Sequence, residues 1–126
     1  MAALRLPCVL ASAPAARHRL ADALEADGLP STVVADACLV FSELVGNAVR
    51  HGRALPDGGV QVGWAVADGQ LCLEVLDGGG RQPTRRDARD ADPGGRGLAI
   101  VDAVAAEWGV RHPSPSRTEV WARLPL

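Results

Sequence analysis

From Pro30-Ser31 to Gly52 the chain carries apolar residues at helical spacing, with one polar stripe running through them. At about 100° per residue, Val34, Ala37, Cys38, Phe41, Leu44, Val45, Ala48 and Val49 share one broad face. Glu43, Asn47 and His51 stand at i, i+4 and i+8, so they stack along a separate line, bordered by Leu39 and Val40. A carboxylate and an amide among apolar neighbours are costly to bury without partners. Taken alone, the stripe reads as a solvated helix edge. Asn47 is nonetheless the single asparagine of the chain, and the rest of the sequence bears on what it is for.

At 126 residues the length is that of one domain, spanning 1–126, and 48% hydrophobic residues suffice for a core. Thirteen basic against fifteen acidic residues leave a formal charge of −2, which gives no electrostatic case for binding nucleic acid or an anionic membrane. All thirteen basic residues are arginine. The Walker-type phosphate loop needs a lysine and is therefore excluded. A phosphate site would have to use backbone N–H groups, arginine or a metal ion. Cys8, Cys38 and Cys72 are widely spaced among apolar residues and read as reduced thiols rather than a disulfide or zinc site. His18, His51 and His112 do not cluster in sequence, and no HExxH occurs. Arg5 and Pro7 interrupt the short apolar run at the N-terminus, so no signal peptide is expected, and no apolar run approaches membrane-spanning length. The expectation is a cytoplasmic protein.

In chain order, Leu4 to Leu10 suits an edge strand, with Pro7 tolerated there. Ala13-Pro14 opens a helix to about Asp27, which Gly28 ends. The long helix from Pro30-Ser31 closes at Gly52, and Pro56-Asp57-Gly58-Gly59 is a turn. Val60 to Val66 alternates cleanly, Asp68-Gly69 signals a two-residue hairpin, and a strand follows from Gln70 to Asp77. Asp77 shares its face with Leu71, Leu73 and Val75. No large apolar side chain lies between Leu76 and Leu98. A polar stretch of this length inside a compact domain reads as a lid or a disordered segment. Gly97 to Trp108 is helical in pattern, and short strands are expected at Trp108 to His112 and Thr118 to Leu124. The order β α α β β (lid) α β β points to an α+β two-layer sandwich. Its mixed, mostly antiparallel sheet would be covered on one face by three helices.

Three features converge: Glu43/Asn47 on the helix, Asp77-Gly78-Gly79 at a strand end, and Gly94-Gly95-Arg96-Gly97-Leu98 opening a helix after the polar stretch. Each alone has a plain reading as a helix edge, a turn residue or a tight turn. In this order and spacing they resemble the Bergerat-type nucleotide-binding fold of gyrase, heat-shock chaperones, histidine kinases and mismatch-repair ATPases, the GHKL group. The phrases Ser42-Glu43-Leu44-Val45-Gly46-Asn47-Ala48-Val49-Arg50-His51 and Gly95-Arg96-Gly97-Leu98-Ala99-Ile100-Val101-Asp102 look like the first and last boxes of its stand-alone bacterial branch. That branch comprises anti-sigma factors that are also serine-protein kinases.

The resemblance implies ATP and Mg²⁺ as ligands. Asn47 would ligate the metal through its amide oxygen, a hard donor suited to a hard cation, and Glu43 would act as the base. Asp77 would accept a hydrogen bond from the adenine amino group, with Gly79 admitting the ring and Thr118 supporting the contact. Gly95, Gly97 and Leu98 would belong to the phosphate-wrapping lid and helix start. His51, on the same stripe, is read either as lining the site or, preferably, as a helix-end histidine. The implied partners are a sigma factor and an anti-sigma antagonist protein, with a homodimer possible and neither nucleic acid nor membrane bound directly. Three positions depart from the family pattern: Arg81 replaces a common glycine, Gly46 a common threonine, and Pro93 an arginine found in kinase members. The alternative is therefore a non-catalytic ATP-binding module that docks a protein partner.

Overall fold

In the computed structural model the described residues are 2–79 and 96–126, with only the backbone described at 96 and 97. They form β1 (Ala2–Leu6), α1 (Ser12–Ala26), α2 (Ser31–His51), β2 (Val60–Ala67), β3 (Gln70–Asp77), α3 (Arg96–Val104), β4 (Glu107–Ser114) and β5 (Arg117–Pro125). The strands make one sheet in the order β1-β2-β3-β5-β4, and each of its four pairings is antiparallel. The helices pack on one face, with α2 in the middle against β2, β3 and β5 and between α1 and α3. This is the expected α+β two-layer sandwich.

The alternation of β3 explains the layering, since Leu71, Leu73, Val75 and Asp77 are buried while the residues between them are half-buried. On the facing layer, α2 buries Val34, Ala37, Cys38, Val40, Phe41, Leu44, Val45 and Ala48. Each large apolar side chain taken out of water contributes about 1.5–3 kcal/mol. Phe41 meets the edge of Trp64 on β2, with ring centroids 5.9 Å apart at 87°. By length and composition α2 could cross a membrane, contrary to the expectation that no apolar run approaches that size. Its apolarity is used here in packing between the sheet and two helices.

Local chemistry sets most boundaries. Pro30 precedes α2 in an extended conformation, its ring suited to a helix start but not to a helix interior. Asp68 and Gly69 have φ of 54° and 74°, as a type I′ hairpin requires. Two boundaries differ from expectation. β1 stops at Leu6, because the Ser12 hydroxyl donates to the Pro7 carbonyl and the chain turns there. α3 ends at Val104, and Trp108 lies in β4. The Ala106 N–H has already joined the Arg123 carbonyl of β5, so the sheet captures the chain before a further helical turn forms. Trp108 still reaches the core, and its indole N–H donates to Asp102 at 2.9 Å.

The ends of α2 and β3 are tied together through Gly78, whose N–H donates to the Arg53 carbonyl at 2.7 Å. A Cβ on Gly78 would lie 2.0 Å from the Ala54 carbonyl oxygen, which is backbone and cannot swing aside. Gly78→Ala is therefore expected to lower stability by about 2–3 kcal/mol, the upper range of overpacking. Denaturant unfolding measures this, and a variant as stable as the parent would show that the junction is not tight.

Candidate functional site

The second half of α2 carries the polar stripe into the core. Asn47 is only 4% exposed, and Glu43, one turn earlier, is half-buried. Among the described residues no hydrogen bond engages the Asn47 amide, and no fully enclosed side-chain polar atom lacks a partner. The amide is almost wholly surrounded by protein. Gly46 is buried beside it, and a Cβ there would come 3.2 Å from the Arg50 guanidinium, which folds back over this turn. The stripe is thus a row of half-buried and buried polar groups, rather than the solvated edge that its residues taken singly suggest.

β3 delivers Asp77 to the same end of the molecule. Its alternation points the side chain inward, where it is 4% exposed. The Gly79 N–H donates to Asp77 Oδ1 at 2.7 Å, and the positive φ of Gly79, 97°, suits a glycine. Gly52, just past α2, lies against the other carboxylate oxygen, and a Cβ on it would be 2.5 Å from Asp77 Oδ2. Gly52 is thus more than a helix stop, because its missing side chain is what lets the carboxylate sit under the helix end.

Thr118 of β5 is the register partner of Asp77 and is 5% exposed. Its hydroxyl lies 3.4 Å from Nδ1 of His112 on β4. Burial pushes the Asp77 carboxyl up to about 6, against the opposing pulls of the Gly79 N–H and the His112 ring.

Of the residues singled out in the sequence, Asp77, Gly79 and Thr118 come together at one end of the sheet, and Glu43 and Asn47 share the adjoining helix. Gly97 and Leu98 lie in the first turn of α3, where Leu98 is buried in the apolar core. Gly95 and the polar stretch with Arg81, Arg85, Arg86, Arg89 and Pro93 lie outside the described residues. Among those residues no group of three or more His, Cys, Asp or Glu side chains could hold a metal ion. His112 and Gly52 were not recognised as site residues in the sequence. Alternation from Trp108 through Val110 was the available signal for His112.

The end of β3 thus carries an inward acid, and the adjoining helix carries a half-buried carboxylate and an amide with no hydrogen bond among the described residues. Residues 6–124 match the histidine kinase-like ATPase domain. The chain belongs to that family.

Solved structures agree with the assignment. The RsbU and RsbW domains of Rv1364c from Mycobacterium tuberculosis are 27% identical, with a TM-score of 0.77 over 99% of this chain and 32% of that one. The histidine kinase domain of the Erythrobacter litoralis EL346 blue-light activated histidine kinase is 26% identical, with a TM-score of 0.58 over 87% of this chain and 59% of that one. The SiaB–SiaC complex from Pseudomonas aeruginosa shares the fold at 15% identity, with a TM-score of 0.66 over 100% and 90%. This chain thus spans only part of the first two. As a histidine kinase-like ATPase domain, it is expected to bind ATP.

The raised pKa of Asp77 has a measurable sign. The unfolded carboxyl titrates near 3.8 and the folded one near 6, so between these values the folded state holds the extra proton. This group's contribution to stability is fully retained below the unfolded value and is lost as pH rises to about 6. Asp77→Asn keeps an oxygen for the Gly79 N–H and removes the buried charge. Without nucleotide it should melt a few degrees above the parent at pH 8 and level with it near pH 4. Melting temperatures across that range decide the matter, and a variant that is less stable at pH 8 would contradict the assignment.

Proposed function

We propose that this domain is an ATP-dependent anti-sigma regulatory factor that phosphorylates a serine on an antagonist protein. The observation that carries the reading is Asn47, a nearly buried amide with no hydrogen bond among the described residues, one turn from the half-buried Glu43. Structure built for packing alone rarely leaves such a group unpaired. The whole-length likeness to a chain containing an RsbW domain and the sequence likeness to anti-sigma kinases support the same reading. The site of action would be the cytoplasm.

In this reading Asp77 and Thr118 bind the adenine end, and Asp77 favours a base that presents an amino donor over one that presents a carbonyl. The Asn47 oxygen fits Mg²⁺, which commonly takes one or two protein ligands and completes its shell with phosphates and water. When bound, the ion would neutralise charge on the phosphates. Glu43 lies about 6 Å from Asn47 along the helix axis and would serve as the base. It takes the proton of the serine hydroxyl as the serine oxygen bonds to the γ-phosphorus. The bond from that phosphorus to the bridging oxygen breaks, and ADP leaves.

A second reading is favoured by Arg81 and Pro93, which stand where kinase members carry glycine and arginine. Here nucleotide orders a protein-binding surface without turnover.

Two substitutions test the proposal. Asn47→Ala should fold normally, since the amide has no partner to lose among the described residues, and should lose Mg-dependent ATP binding by calorimetry. Unchanged affinity would remove Asn47 from the site. Glu43→Gln should bind ATP as the parent does but form phosphoserine on the cognate antagonist roughly 10²–10⁴-fold more slowly, the range of general-base catalysis. Parent and variant that bind ATP alike and form no phosphoserine would favour the non-catalytic module.

A further inference from the structure

The inner face of the sheet ends in a row of three polar side chains on adjacent strands. Asp77 of β3 is the register partner of Thr118 of β5. On the other side of β5, Arg111 of β4 pairs with Glu119, so the next residue along, His112, comes level with Thr118. The ladder then shifts register between Arg111 and Ser114, and such irregularities commonly re-aim a side chain near a site. His112 continues the inward series of Trp108 and Val110, and its Nδ1 lies 3.4 Å from the Thr118 hydroxyl. Strand spacing of about 4.8 Å puts the His112 backbone only two strands, about 10 Å, from that of Asp77.

We infer that His112 is a positioning residue for the base end of the site, holding Thr118 beside Asp77, and that it thereby sets the preference for a base with an amino donor. The inference rests on the nucleotide-site reading above and adds to it a residue that the sequence likeness did not assign.

Asp77 lies against Gly52 just past α2, which has no side chain, takes the Gly79 N–H and pairs in register with the uncharged Thr118 of β5. Thr118 is met from the other side by His112, whose Nδ1 is the side-chain partner of its hydroxyl among the described residues. Loss of the ring should therefore loosen Thr118 and weaken ATP binding. GTP binding, which does not use Asp77 as an acceptor for an amino group at that position of the base, should be indifferent.

The experiment compares the parent with His112→Ala and His112→Gln. His112 is exposed, so both variants should fold, and thermal unfolding checks this. ATP and GTP affinities are measured by calorimetry. His112→Ala should lose ATP affinity several-fold, with GTP unchanged. His112→Gln should restore the ATP preference, because an amide can still bond Thr118. An unchanged ATP-to-GTP ratio in His112→Ala overturns the inference, as does an equal loss of both nucleotides. A parent that binds neither nucleotide overturns the nucleotide-site reading, and the inference with it.

Discussion

The close approach of the end of α2 to the end of β3 is the constraint on which the site depends. Gly52 lies against the Asp77 carboxylate, and the Gly78 N–H reaches the Arg53 carbonyl. A side chain at either glycine would force the helix end and the strand end apart. With the two ends locked, the rotation of α2 about its own axis is fixed by its apolar face on the sheet. The line through Glu43 and Asn47 is then held in partly or wholly buried surroundings rather than in bulk solvent.

Polar groups in this molecule fall into two kinds. Ser12 is buried, but its hydroxyl donates to the Pro7 carbonyl and fastens the chain between β1 and α1. Among the described residues Asn47 is buried without such a bond, and Asp77 is buried with one backbone donor and a carboxyl that burial makes reluctant to ionise. The first kind contributes to stability, whereas the second costs stability in the free protein.

Much of the fold was legible because its signals are local. Apolar spacing over 31–51 gave α2, alternation gave β2 and β3, and Asp68-Gly69 gave the hairpin between them. The inward side of Asp77 followed from a period of two. The failures lie where long-range pairing overrides a local pattern. Trp108 fits the helical spacing of Leu98, Val101 and Val104, yet β5 draws it into a strand. The Pro7 segment looks like a strand until the Ser12 hydroxyl takes its carbonyl.

The sequence by itself determined the element types, the polar stripe on α2 and the acid at the end of β3, since each depends on residues close in the chain. Only the tertiary structure decided which of these meet. The pairing of β3 with β5, separated in sequence by a helix and a strand, sets Thr118 opposite Asp77. The pairing of β4 with β5 brings in His112, a residue with no sequence motif around it. The role of Gly52 also became visible only there, because a missing side chain matters through the atom it makes room for, and that atom is 25 residues away in the chain.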